Sequence, residues 1–398
     1  MLRIRYVTAI LGVFAGLFVA DIGASVEATT KSNYTCWIDD RPITLRAGAN
    51  FSNRDFSGCD FHGANVRGIN LANSNLTKAN FKGANLSNAN LNGATLTQTM
   101  FDGANLTSAN LRTGRIDGLY AAKANFTNSN LSFTQVWNWE ASESNFTGAD
   151  FRHSSFQGGN FSKSNFKSAR FDSAVLSAVN ANSANFTSAR LVDVVFSYGS
   201  LNKAQLANTL MTNAILSKVV TGGLVGKPLS LASQYKILKG FLVGPSTVLG
   251  GLDVSGLDLS GFNLTNVSSQ KFGQEGIGAV LGQPSKLPTD YRLISRYLVG
   301  PGVDLAYANL SGADLHGVNL SGATLSGGNF SSANLSGSNL RQTINFGTNF
   351  SLANLSAADI SGADFFEGQL STANLASVIA STQTICPNGE HYGSGGNC

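Results

Sequence analysis

The chain has 398 residues and a net charge of +4, and only 13% of its side chains are charged, against about a quarter in an ordinary soluble domain. It holds 44 glycines and 25 phenylalanines but only 7 prolines and 3 methionines. That combination excludes a disordered acidic tail, a multi-pass membrane protein and an ordinary helical enzyme, and so strong a bias points to an internal repeat.

Arg3 and Arg5 precede an apolar run from Tyr6 to Ala20, and Val26-Glu27-Ala28 offers a small-residue cleavage site. This pattern predicts a secretory signal peptide over residues 1–28. The apolar run is shorter than the ~20 residues that a membrane span needs. Residues 29–50 then read as an N-terminal cap.

From Phe51 to Leu216 a bulky apolar residue stands at every fifth position without a slip of register. Ala79-Asn80-Phe81-Lys82-Gly83 shows the unit: small, Asn or Asp, Leu or Phe, polar, polar. Five residues advance about 500° on a helix, so the apolar residues would spiral over all sides. In a strand an odd spacing sends them to alternate faces. Neither element can bury the pattern. The chain must turn once per repeat, with the central residue and the small residue two before it pointing inward.

These units resemble the pentapeptide-repeat family, and the resemblance extends over 51–216 and most of 305–375. It implies an all-β fold, a right-handed quadrilateral parallel β-helix with four repeats per coil. Within the sequence, the central slots that hold alanine, Ala121, Ala141 and Ala181, are separated by multiples of 20. Two residues before each stands an oversized residue, Leu119, Trp139 or Val179, so bulk has moved along one face with volume conserved. Stacking at 20 aligns Asn65, Asn85, Asn105, Asn125, Asn145, Asn165 and Asn185 into an outward ladder, bordered by Ser87, Thr107, Thr127 and Thr147. It aligns Gly63, Gly83 and Gly103 at a corner where φ > 0 is cheap for glycine. Lys123, Glu143 and Lys163 form a ladder of alternating charge. In the column Asp150, Arg170, Arg190 the two arginines are like-charged neighbours, for which the sequence offers no account.

The period breaks after Leu216, returns over 254–264, and breaks again before a second repeat block at 305–380. The insertions, 217–253 and 265–304, are copies at an offset of 56: Gly226-Lys227-Pro228 to Pro245 matches Gly282-Gln283-Pro284 to Pro301. Each holds two apolar runs around a turn, Lys239-Gly240 or Ser295-Arg296, which predicts a β-hairpin excursion. Such excursions serve as a spacer or wing covering a solenoid end, or as a binding loop. Asn345 in a central slot, between Ile344 and Phe346, predicts a local bulge.

Four cysteines in an exported chain favour disulfides over metal. Cys386 and Cys398 bracket a Gly-rich tail, 381–398, and are expected to pair; its Cys-Pro-Asn-Gly start resembles tails of exported bacterial members of the family. Cys36 and Cys59 either tie the cap to the first coil or leave Cys59 a buried thiol in its inward slot. No cofactor or metal is expected, because His62, His153, His316 and His391 share no column and no Cys-x-x-Cys is present. Glu140 and Glu143 are the closest approach to a glycosidase carboxylate pair, yet Glu143 is flanked by Lys123 and Lys163. The chain is therefore not expected to be an enzyme.

One region departs from the polar monotony. Tyr120 and Glu140 stack one coil apart, Trp137 lies at the adjoining corner, and Phe133 and His153 form a second stacked pair. These five residues are the candidate ligand patch, with packing onto the surface as the other reading. The best-known pentapeptide-repeat proteins resemble duplex DNA in shape and acidic charge and protect topoisomerases. Here the charge is basic and laid out in ladders, which disfavours DNA mimicry and nucleic-acid binding. The sequence thus predicts a secreted or cell-surface, non-enzymatic structural or interaction module. Its partner would be a protein or a cell-envelope glycan; the alternative is a carbohydrate-binding surface protein using the patch.

Overall fold

The structure, a computed structural model, describes residues 36–38, 41–252, 254, 257–268, 282–393 and 398. The expected signal segment 1–28 lies outside the described residues, as do parts of the cap, of the second insertion and of the tail. The chain divides into two compact units, before and after the Ser154–Ser155 bond.

In the first unit, strands β1 (Cys36–Ile38) and β2 (Arg41–Ile43) pair antiparallel. Parallel bridges then link residue i to i+20, from Asn50 with Asn70 to Asn130 with Asp150. Twenty residues per coil is four repeats, and each repeat turns one corner. Central residues such as Phe61, Leu71, Phe81 and Leu91 are buried, as are the residues two before them, Cys59, Ile69, Ala79 and Ala89. The rings of Phe61, Phe81 and Phe101 ascend one face, with centroids 5.0 Å and 5.4 Å apart. That ladder ends at Ala121, and Leu119 and Trp139, both fully buried, take over the volume. The Trp139 ring stands edge-on to Phe126 and Phe146, at 5.4 Å and 5.5 Å.

The residue two after each centre is left-handed whether or not it is glycine: φ is 63° at Gly83, 59° at Lys123 and 60° at Glu143. A non-glycine residue there costs about 1–2 kcal/mol. The coil ladder imposes it, because this amide donates to the next coil, as from Gly83 to the Asp102 carbonyl at 2.9 Å and from Lys123 to that of Ser142 at 2.9 Å. Strands β3 (Arg115–Asp117) and β4 (Gln135–Trp137) pair parallel, in register at 20. They run directly into the oversized inward residues Leu119 and Trp139. Thr99, one coil earlier in the same column, already stretches its turn bond to the Leu96 carbonyl to 3.4 Å, against 2.8 Å from Ala104 to Phe101.

In the second unit, β5 (Ser155–Gln157), β6 (Val175–Ser177), β7 (Val195–Ser197) and β9 (Ile215–Ser217) form parallel pairs in that order, and β8 (Leu210–Met211) pairs parallel with β10 (Ser230–Leu231). The hairpins follow: β11 (Lys236–Leu238) with β12 (Phe241–Val243), and β13 (Arg292–Ile294) with β14 (Tyr297–Val299), both antiparallel. Their turn residues Lys239, Gly240, Ser295 and Arg296 all have positive φ, at 47°, 77°, 47° and 68°. Two such residues in a two-residue turn match the twist of the flanking strands.

The hairpins do not cover a solenoid end. One bridge column runs past both of them, from Ser200 through Val220, Val248, Ser268 and Asp304 to Thr324. The coils from Val220 to Val248 and from Ser268 to Asp304 are therefore long coils of 28 and 36 residues. Both hairpins also feed the core: Val243 of the first and Leu298 of the second share a buried cluster with Leu249, Leu259 and Leu264. The duplicated Gly-Pro ends have a packing reason. A Cβ on Gly244 or Gly300 would stand 2.5 Å from the ring of Tyr235 or Tyr291, respectively.

Asn345 forms no bulge. Ile344 keeps its bridges to Thr324 and Asp364 at the regular spacing, and Asn345 points inward, fully buried. Its amide donates to Thr343 Oγ1 at 2.9 Å, which satisfies one end of the side chain inside the core. Its Oδ1 has no partner. Ile344 and Phe346 remain outside, about half exposed. Disulfides join Cys36 to Cys59 and Cys386 to Cys398.

Candidate functional site

The outer surface of the first unit is largely a self-satisfied polar lattice. Along the Asn65 column, Asn85 donates to Asn65 Oδ1 at 3.1 Å and Asn105 to Asn85 Oδ1 at 3.3 Å. Higher up the amides switch partner, Asn125 to Thr107 Oγ1 at 3.1 Å and Asn145 to Thr127 Oγ1 at 3.0 Å. Each Oδ1 also accepts from the amide two residues on, as from Ser87 to Asn85 at 3.1 Å. This closes the local turn in the manner of an Asx motif. Amide capacity on this face is used along the axis, and little of it projects toward a ligand.

The five candidate residues fall on neighbouring columns of the same unit. Tyr120 and Glu140 are bridge partners on one face. Trp137 ends β4 at the preceding corner, opposite Asp117. Phe133 and His153 stack at 4.9 Å, one corner back. The Phe133 and Tyr120 rings are about half exposed.

Two residues absent from the sequence reading complete this region. The guanidinium of Arg112 lies 4.8 Å from the Phe133 ring centroid and that of Arg115 lies 5.6 Å from the Trp137 centroid, both in cation–π contact. Arg112 belongs to the coil below Phe133 and His153 to the coil above, so both faces of that ring are covered. A ring sandwiched in this way cannot stack on a sugar, and Phe133 drops out of the carbohydrate reading. Writing the sequence on a 20-residue grid would have exposed the pairings, since Arg112 neighbours the corner column of Phe133 and Arg115 sits directly below Gln135.

Several of the other charges are paired. Lys123 Nζ approaches Glu143 Oε2 at 3.9 Å, so the glycosidase-like pair Glu140 and Glu143 includes a carboxylate already engaged by a cation. Arg152 grips Asp150 through two nitrogens, with Nε to Oδ1 at 2.9 Å and Nη2 to Oδ2 at 2.6 Å. In the second unit the neighbouring Arg170 and Arg190 share one carboxylate, Asp172, at 3.6 Å and 3.2 Å. That carboxylate offsets their repulsion and accounts for two like charges one coil apart. Lys218 reaches Asp304, 86 residues away, in a mostly buried ion pair. Among the described residues no helix is long and apolar enough to cross a membrane.

Coils of 20 residues, one turn per five, and inward residues at the centre and two before it define a quadrilateral parallel β-solenoid. The chain carries pentapeptide repeats: the family model for pentapeptide repeats matches eight copies, over residues 47–73, 55–93, 79–113, 144–180 and 302–344. No curated protein matches the chain. Among solved structures it is similar to QnrB1, a plasmid-mediated fluoroquinolone resistance protein, at 16% identity, over 45% of this chain and 86% of that one, with a TM-score of 0.31. It is also similar to HetL, a pentapeptide repeat protein involved in heterocyst differentiation regulation in the cyanobacterium Nostoc. There the identity is 20%, over 81% of this chain and 92% of that one, with a TM-score of 0.21. A pentapeptide repeat protein of the Arabidopsis thaliana thylakoid lumen is 24% identical, over 32% of this chain and 67% of that one, with a TM-score of 0.15.

Proposed function

We propose that this protein is an exported, non-enzymatic structural and interaction module, whose partner is a protein or a glycan of the cell envelope. The observation that carries the reading is the pair of disulfides, Cys36–Cys59 beside the first coil and Cys386–Cys398 in the tail. Disulfides persist in oxidising compartments and are rare in the cytosol, in keeping with the signal-like residues 1–28. The lattice supports the second half of the reading. Its polar groups bond to one another along the axis, as befits a scaffold, and several of its carboxylates are held in ion pairs. The net charge of +4 disfavours mimicry of DNA.

The test is fractionation of the native cell followed by pull-down from the envelope with the mature chain as bait. The expected result is an oxidised protein beginning near Thr29, found outside the cytoplasm, with a reproducible envelope partner. A reduced, full-length protein in the cytosol would overturn the reading.

A further inference from the structure

On the grid of the first unit, one coil presents Arg112, Arg115, Asp117 and Tyr120, the next presents Phe133, Gln135, Trp137 and Glu140, and His153 follows above. Arg112 and Arg115 stand three residues apart, on either side of one corner, and each holds its guanidinium carbon over an aromatic ring of the next coil, at 4.8 Å and 5.6 Å from the centroid. Among the described residues neither guanidinium has a carboxylate within ion-pair distance, whereas Arg152, Arg170, Arg190 and Arg341 each hold one. A guanidinium stacked on a ring keeps its edge donors free and gives up rotamer freedom before any ligand arrives. Two such groups on either side of one corner offer charged donors to planar or tetrahedral oxyanions.

We infer that the corner and face carrying Arg112 and Arg115 form a binding site for the carboxylate or sulfate groups of an anionic polysaccharide. Asp117 and Glu140, in the adjoining columns, select for this class. They can accept hydrogen bonds from sugar hydroxyls, which a phosphodiester backbone of DNA does not offer. Gln135, bridged to Arg115 in register, adds an amide of both polarities, and the exposed Tyr120 ring offers an apolar face. The roles differ from those expected of the aromatic patch. Phe133 and Trp137 hold the arginines, and the arginines meet the ligand.

This inference rests on the interaction-module reading and supplies the chemistry of its partner. The test measures binding of the full mature chain, with disulfides intact, to polygalacturonate, dextran sulfate and neutral dextran. Binding to polygalacturonate assigns carboxylate and binding to dextran sulfate assigns sulfate. Both should weaken with added salt, and neutral dextran should not bind. Arg112→Gln and Arg115→Gln should each weaken binding about tenfold, the loss of one charged hydrogen bond. Phe133→Leu, which leaves every charge in place, should weaken it about threefold by freeing Arg112. All three positions are exposed, so an unchanged thermal melt separates lost binding from lost fold. Unchanged binding in the double Arg→Gln variant, equal binding of neutral dextran, or DNA bound as tightly as the glycans would each overturn the site. If the double variant fails to bind glycan in every case yet the native envelope partner is still captured, the site stands as a glycan site separate from that partner. If no glycan binds the unaltered chain and the partner is still captured, this inference fails while the interaction module stands.

Discussion

The exchange of bulk between neighbouring inward slots makes the sharpest stability prediction. Trp139 is fully buried and meets Phe126 and Phe146 edge-on at 5.4 Å and 5.5 Å, while the central slot beside it holds only Ala141. Trp139→Ala removes roughly 200 Å² of buried aromatic surface. At about 25 cal/mol per Å² that corresponds to about 5 kcal/mol, within reach of the about 3–5 kcal/mol typical of such truncations. Adding Ala141→Phe returns the bulk to the slot where Phe61, Phe81 and Phe101 carry it two to four coils below. The double variant should recover more than half of the loss. Urea unfolding followed by far-UV circular dichroism measures both, since the solenoid unfolds as stacked units and far-UV signal reports every coil. If the double variant is no more stable than Trp139→Ala, the two slots do not share one volume and the account of the alanine column is wrong.

Other substitutions test separate features. Asn345→Leu should raise stability by about 1–3 kcal/mol, because it removes a buried oxygen that has no partner; a lower melting temperature would contradict this. Gly199→Ala should cost about 1–3 kcal/mol by overpacking, since its Cβ would stand 2.4 Å from the Phe196 ring and 2.6 Å from the Val179 carbonyl. Phe196→Leu in the same chain should soften that cost in a double-mutant cycle. Lys218→Met should cost about 1.5–3 kcal/mol by stranding Asp304, with the further change Asp304→Asn adding less than its own separate effect. Burial raises the Asp359 carboxyl, but the Ser361 hydroxyl and amide and the Arg341 guanidinium outweigh it and hold the group below the ordinary carboxylate value. Its contribution to stability is therefore full above the unfolded value of ~3.9 and is lost as pH falls through the depressed folded value. Asp359→Asn should flatten the acid limb of a stability-against-pH curve.

The repeat itself was legible because one rule at one spacing decides which side chain goes inward. Phe61, Trp139 and Ala141 follow from the period and from conservation of volume. Both hairpin turns were legible for a related reason, since a two-residue turn between apolar runs is a local signal. Continuity past the insertions was not, because nothing in the sequence marks Val220, Val248, Ser268 and Asp304 as one column once the period is lost. Asp172 escaped notice because it lies in the corner column beside Arg170 and Arg190, and its service to both depends on side-chain reach. Arg112 and Arg115 were missed for the same reason: a column lists what is stacked, and their partners stand one and two columns aside. Asn345 shows the opposite failure, where a polar residue in an apolar slot is tolerated by one neighbouring hydroxyl without any backbone change.

The bridge column from Val220 to Asp304 has a consequence for how such a chain can change. A segment that leaves the stack at one rung and re-enters at the next has its ends fixed about 4.8 Å apart, whatever its length between them. The two long coils already differ from each other by eight residues, yet the rungs above and below keep the same column. These positions are exchangeable cassettes. A foreign loop spliced between Val220 and Val248, with Val243 and its neighbours retained as the core-facing edge, alters what the side of the molecule displays while the axis runs on unaltered.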